Sequence, residues 1–135
     1  MKDIAIGTEG TAGIDVVFEN TAASFDRELP EVYATPCLVR LVEAACRDAI
    51  GPYLEEGEGS VGAAVNIKHL AGTPTGFHVT AKAKVTNVKG RIIDFDVEAY
   101  DDDEPVCSGT HTRAVINKAK HAARIAEKKA RRENK

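Results

Sequence analysis

The stretch from Thr35 to Pro52 constrains the fold more than any other part of the chain. Thr35 is followed by Pro36, a pairing that reads as a helix start: a hydroxyl suits the N-cap, and proline at the first helical position gives up an N–H that would have had no partner. Gly51 and Pro52 supply the stop. Between them, Leu38, Leu41, Val42, Ala45, Cys46 and Ala49 make a wide apolar arc on a 3.6-residue wheel, extended by Val39 and Ile50. Only one narrow side is polar. A helix apolar over most of its circumference must be surrounded by other structure, so the spacing predicts a central helix from Pro36 to about Ile50.

The rest of the sequence supplies strands to surround it. Ile14 to Phe18 is β-branched and aromatic and predicts a first short strand. Glu19 to Ala34 is mixed and contains Pro30, which predicts a loop or broken turn of helix able to fold over something. After the turn-rich Glu55 to Ser60 comes Val61 to Leu70, then three runs bounded by Gly72 to Gly76, Asn87 to Gly90 and Asp101 to Glu104. Phe77, Val79, Ala81, Ala83 and Val85 alternate onto one face, as do Ile93, Phe95, Val97 and Ala99, and Val106 to Ile116 is the last run. One strand, one enclosed helix and four consecutive antiparallel strands describe an α+β unit, an antiparallel β-sheet wrapped around a central α-helix: the hotdog fold. A single curved sheet leaves edges and one face uncovered, so a homodimer is expected.

At 135 residues the chain is the size of one domain. We expect it over residues 1–117, followed by a basic tail over 118–135. That tail holds eight Lys and Arg against Glu127 and Glu133, so a chain of net charge -3 divides into a tail of +6 and a body of -9. Its apolar stripe is only alanine at 119, 123, 126 and 130, which predicts a frayed segment, helical at best. An acidic body does not attract a polyanion through its overall field, and the tail lacks aromatic residues for stacking, so nucleic acid is not an expected partner. No run approaches the roughly 20 apolar residues of a membrane span, and Met1, Lys2 and Asp3 do not begin a signal peptide. Cys37, Cys46 and Cys107 leave an odd thiol under any pairing. These features point to the cytoplasm.

Several residues have two readings. Glu43 lies at the border of the apolar arc, where it can form a boundary ion pair with Arg47 or face a cleft as a base or nucleophile. Capping accounts for Thr35 alone, yet a hydroxyl at a helix N-terminus also sits where N–H groups favour a carbonyl oxygen gaining charge. His69 closes a run of small residues that would let a ligand approach the backbone, and it also serves as an ordinary strand-end histidine. His78, His111 and His121 carry no better spacing signal, although His111 alternates with polar neighbours. No HxxxH, HxxE or CxxC spacing occurs, so no metal is expected, and Cys46 falls on the core arc.

Three segments taken together resemble one family. They are Pro30-Glu31-Val32-Tyr33-Ala34-Thr35-Pro36 leading into Leu41-Val42-Glu43-Ala44-Ala45-Cys46, Gly57 to Gly62 continuing to Lys68-His69, and Ser108 to Ile116. The chain is similar to the fluoroacetyl-CoA thioesterase family of hotdog proteins. The resemblance implies hydrolysis of an acyl-CoA thioester, with Thr35, Glu43 and His69 as the catalytic set. It also implies Gly62 lining the acyl site through its backbone, Arg113 near the pocket, and an active site at a dimer interface. No cofactor is implied beyond the CoA of the substrate, and dimers that pair further remain open. The lid phenylalanine of the family is Leu29 here, with Phe25 out of register, so a short-chain acyl-CoA is expected rather than fluoroacetyl-CoA specifically. A non-catalytic acyl-CoA binding or sensing domain is the alternative.

Overall fold

The computed structural model describes residues 1–134. Five strands, β1 (Glu9–Asp15), β2 (Glu58–His69), β3 (His78–Lys89), β4 (Ile92–Tyr100) and β5 (Pro105–Asn117), form one antiparallel sheet in the order β1-β3-β4-β5-β2. Three helices join them: α1 (Ala22–Phe25), α2 (Thr35–Ile50) and α3 (Lys118–Glu133). The sheet curls around α2, and this is the α+β hotdog arrangement that the sequence predicts.

The core forms where the alternating faces meet the apolar arc of α2. Leu38, Leu41, Val42, Ala45, Cys46, Ala49 and Ile50 are buried, against Val79, Ala81, Ala83 and Val85 of β3 and Ile93, Phe95, Val97 and Ala99 of β4. Each large aliphatic side chain removed from water in this way stabilises the fold by about 1.5–3 kcal/mol. Burial of Cys46 pushes its thiol up to about 12, so it packs as a neutral core residue. Among the described residues, no helix is long and apolar enough to cross a membrane.

Two local expectations need correction, and two segments take forms that the sequence allowed. The first strand runs Glu9–Asp15, not Ile14 to Phe18. Its small residues are required by packing: a Cβ on Gly10 would run into the α2 backbone at Ala45 and Ala49, so β1 is the strand on which the helix lies. Residues 19–34 take the second of the two forms expected, a broken turn of helix, with a 3-10 turn at Phe18–Asn20, the short helix α1, and bridges from Thr21 to Tyr33 and from Val32 to Pro74. Thr35 is not the N-cap of α2; Ala34 is, without a side-chain bond, and Thr35 stands in the first turn. The tail, expected to be helical at best, forms the helix α3 over Lys118–Glu133, entered through Asn117, whose side chain accepts a hydrogen bond from the Lys120 N–H.

Candidate active site

The polar side of α2 lies against β2, and the two elements run in opposite directions along that seam. At one end, Thr35 in the first turn of α2 meets His69 at the end of β2, with Oγ1 and Nδ1 sharing a proton at 2.7 Å. The freedom of Thr35 from capping is what lets its hydroxyl reach the imidazole. His69 is half-buried, its Nε2 has no hydrogen-bond partner, and burial pushes its pKa below the usual histidine value.

At the other end, Glu43 is two turns further along α2. Its Oε2 accepts a hydrogen bond from Nη1 of Arg113 at 3.1 Å, and its side chain is 32% exposed. The ion pair is therefore with Arg113 of β5, not with Arg47 on the same helix. Arg113 is almost fully buried and is fixed from β2: its Nε donates to Ser60 Oγ at 2.9 Å and its Nη2 to the Ser60 carbonyl at 3.0 Å. Such a carboxylate is held by a charge-assisted bond that also leaves its second oxygen free.

Gly62 faces Arg113 across the β2–β5 pairing, next to a bulge that shifts the register before Ala64. A Cβ there would stand 3.0 Å from Glu43 Oε2, so the glycine is what allows the carboxylate to lie against the strand. Leu29 lies in the turn after α1, 46% exposed, with its N–H bonded to the Asp26 carbonyl.

The structure thus brings Thr35 to His69, and Glu43 to Gly62 and Arg113. It does not bring the two groups together within one chain, because eight residues along a helix amount to about 12 Å of rise. A concavity of about 600 Å³ along β1, β3 and β4, lined by Glu9, Asp48, Lys82, Lys84, Asp96 and Glu98, contains none of these residues.

Sequence reasoning passed over two members of the cluster, Ser60 and His111. His111 is 3% exposed, with Nε2 3.2 Å from Arg113 Nη1 and its ring stacked at 6.2 Å on Phe95. Its signal was strand periodicity: His111, Arg113 and Val115 follow one another at a spacing of two on the inward face of β5.

The sequence profile of the family described as FlK, fluoroacetyl-CoA-specific thioesterase, matches residues 16–119. A fluoroacetyl-CoA thioesterase of Streptantibioticus cattleyicolor is 46% identical over 101 residues, covering 75% of this chain and 73% of that protein. A solved structure of the fluoroacetyl-CoA thioesterase FlK superposes with a TM-score of 0.88 at 38% identity, covering 94% of this chain and 98% of that one. A hypothetical protein of Thermus thermophilus, a thioesterase superfamily member, superposes over the whole of both chains with a TM-score of 0.93 at 32% identity. With the helix-in-sheet fold and the family profile in agreement over most of its length, the chain belongs to the fluoroacetyl-CoA-specific thioesterase family and is an acyl-CoA thioesterase.

Proposed function

We propose that this protein hydrolyses a short-chain acyl-CoA to the free acid and CoA, with Thr35, Glu43 and His69 as its catalytic set, in a site completed by a second copy of the chain. One observation carries the reading: the two polar pairs occupy opposite ends of one α2–β2 seam. An isologous dimer about a two-fold axis near the middle of that seam places each end beside the opposite end of the partner, so one protomer's Thr35 and His69 meet its partner's Glu43. The long edge of β2, paired only with β5 and exposing Val65 at 46%, suits such a contact.

In this arrangement Glu43 takes a proton from water as the water oxygen attacks the thioester carbon. The Thr35 hydroxyl and the backbone at Gly62 steady the carbonyl oxygen as it gains negative charge. The C–S bond then breaks, and the proton that Glu43 took from water passes to the departing CoA thiolate through His69, which is neutral before the reaction and bonded to Thr35, so that Glu43 and His69 both return to their starting states. Arg113 holds the carboxylate in place. Leu29, from the turn preceding α2, covers a small acyl group. The related FlK enzyme has been solved with fluoroacetate and with acetyl-CoA bound to variants of a single threonine, which agrees with a threonine close to a short acyl group.

The test is release of free CoA thiol from acyl-CoAs of graded chain length. We expect turnover concentrated in the shortest acyl groups, with Glu43→Ala and His69→Ala each lowering kcat about 100-fold or more. Variants as fast as the parent would refute the assigned roles. Saturable acyl-CoA binding without thiol release across the whole panel would make the protein a binding module instead.

A further inference from the structure

Resting on the reading of Glu43 as the catalytic carboxylate, we propose that His111 is a positioning residue for it: the neutral ring offers Nε2 to Arg113 and thereby limits what Arg113 gives Glu43. Arginine has only donors, so in the 3.2 Å contact Nη1 donates and His111 Nε2 accepts. A neutral ring that accepts through Nε2 carries its proton on Nδ1. That Nδ1 is buried near the Ala64 carbonyl of β2 without a hydrogen bond of full geometry to it. An apolar side chain in the same place would bury no such donor, so packing alone does not account for the imidazole; the acceptor nitrogen does.

The acceptor takes up the second hydrogen of Arg113 Nη1. Ser60 takes Nε–H and one hydrogen of Nη2, and the two hydrogens of Nη1 are shared between two other partners. One goes to Glu43 Oε2 and the other to His111, so Arg113 gives the carboxylate one bond and leaves Oε1 for the substrate or water. The groups converge tightly: a Cβ on Gly62 would be 3.0 Å from Glu43 Oε2 and 3.4 Å from His111 Cε1. Phe95 of β4, stacked on the ring at an interplanar angle of 28°, fixes the direction in which Nε2 points.

Protonation would reverse the contact, because Nε2–H would face a guanidinium that cannot accept. The charged groups acting on the ring are Arg113 on its own strand and Glu43 and Arg47 from α2; β2 contributes the Ala64 carbonyl and β4 the Phe95 ring. The Cys46 thiol beside Arg113 and Glu43 is neutral. Burial is the largest influence and, with Arg113 and Arg47, lowers the ring's pKa below its ordinary value of 6.5 against the opposite pull of Ala64 and Glu43. The ring therefore stays neutral at working pH. Acidification through its folded pKa removes the acceptor, giving the activity profile a limb on the acid side.

Three substitutions separate the acceptor from mere bulk. The carbonyl oxygen of a glutamine reaches the place of Nε2, whereas that of an asparagine stops near Nδ1. We expect His111→Gln to keep kcat within about threefold of the parent and to lose the acid limb due to this ring. His111→Asn and His111→Leu should lose about tenfold in kcat with KM little changed. Ring ¹⁵N NMR of the unsubstituted protein should show a neutral His111 protonated on Nδ1, a readout that needs no variant to fold. Equal activity in all three variants, equal impairment in all three, or a ring protonated on Nε2 at neutral pH would overturn the proposal. Glu43→Ala, assayed alongside, separates the two levels: if it is inactive while His111→Leu is normal, only the role of His111 falls. If Glu43→Ala is fully active, both fall.

Discussion

Gly62 occupies the tightest position in the Glu43 cluster, and its substitution tests how closely the carboxylate is held. An added methyl at 3.0 Å from Glu43 Oε2 meets the end of a half-exposed side chain, which can yield by a few tenths of an ångström without disturbing β2. Folding should therefore survive while the carboxylate moves. Gly62→Ala is expected to lower kcat/KM about tenfold with an unchanged melting temperature, measured by thiol release and thermal denaturation on the same preparation. An equally active variant would mean that Glu43 is not held where its position matters. At this scale the sequence was legible for Thr35, Glu43 and His69 as candidates, because residue type and the family resemblance both marked them. It was not legible for their partners. A threonine before proline reads as a cap from local rules, whereas its hydroxyl is taken by His69, 34 residues away. Glu43 has Arg47 at the favourable helical spacing, yet it pairs with Arg113, 70 residues away, because a buried guanidinium aimed by Ser60 outcompetes an exposed one on the same helix.

The elements divide into those that share the core and one that does not. The alternation in β3 and β4 and the arc of α2 were readable because burial imposes a period on residue type, and those residues are the core. β1 was misplaced because its constraint is closeness rather than hydrophobicity: Gly10 is selected by the backbone of α2, which leaves no apolar period in Glu9–Asp15. α3 is the opposite case. It is a full helix with no buried residue, exposes Ile125 at 52%, and attaches through the Lys118 N–H to the Gly57 carbonyl at 2.9 Å. Its helicity follows from alanine, lysine and arginine propensity together with the Asn117 cap. We propose on this basis that residues 1–117 fold as the thioesterase unit and 118–135 are an appendage. Deleting 118–135 is expected to shift the melting temperature by no more than about 4 °C and to leave hydrolysis nearly intact. A loss of about 10 °C or more would place α3 inside the cooperative unit.

For the whole molecule, one chain holds Thr35 with His69 and Glu43 with Arg113 at opposite ends of the α2–β2 seam and leaves β2 at the edge of the sheet. Thr35 with His69 and Glu43 with Arg113 cannot converge on one thioester carbon from about 12 Å apart along a helix that is locked into the sheet by Gly10 and the α2 core. If the three residues act on one substrate, two chains must supply them, and the prediction separates this from a site within one chain. Glu43→Ala and His69→Ala should each be inactive as homodimers. In a heterodimer of the two, the Glu43→Ala protomer still offers Thr35 and His69, and its partner still offers Glu43, so one of the two sites is whole and the other lacks both groups. Heterodimers isolated with two different affinity tags should therefore recover about half the parent activity per dimer, and an unsorted one-to-one mixture about a quarter. A site contained in one chain would leave every combination inactive, since no protomer carries all three residues. Recovery near half, with sedimentation showing a dimer for the parent and both variants, would establish that the active site is shared; heterodimers as inactive as the two homodimers would place the chemistry within one chain and remove the dimer from the mechanism.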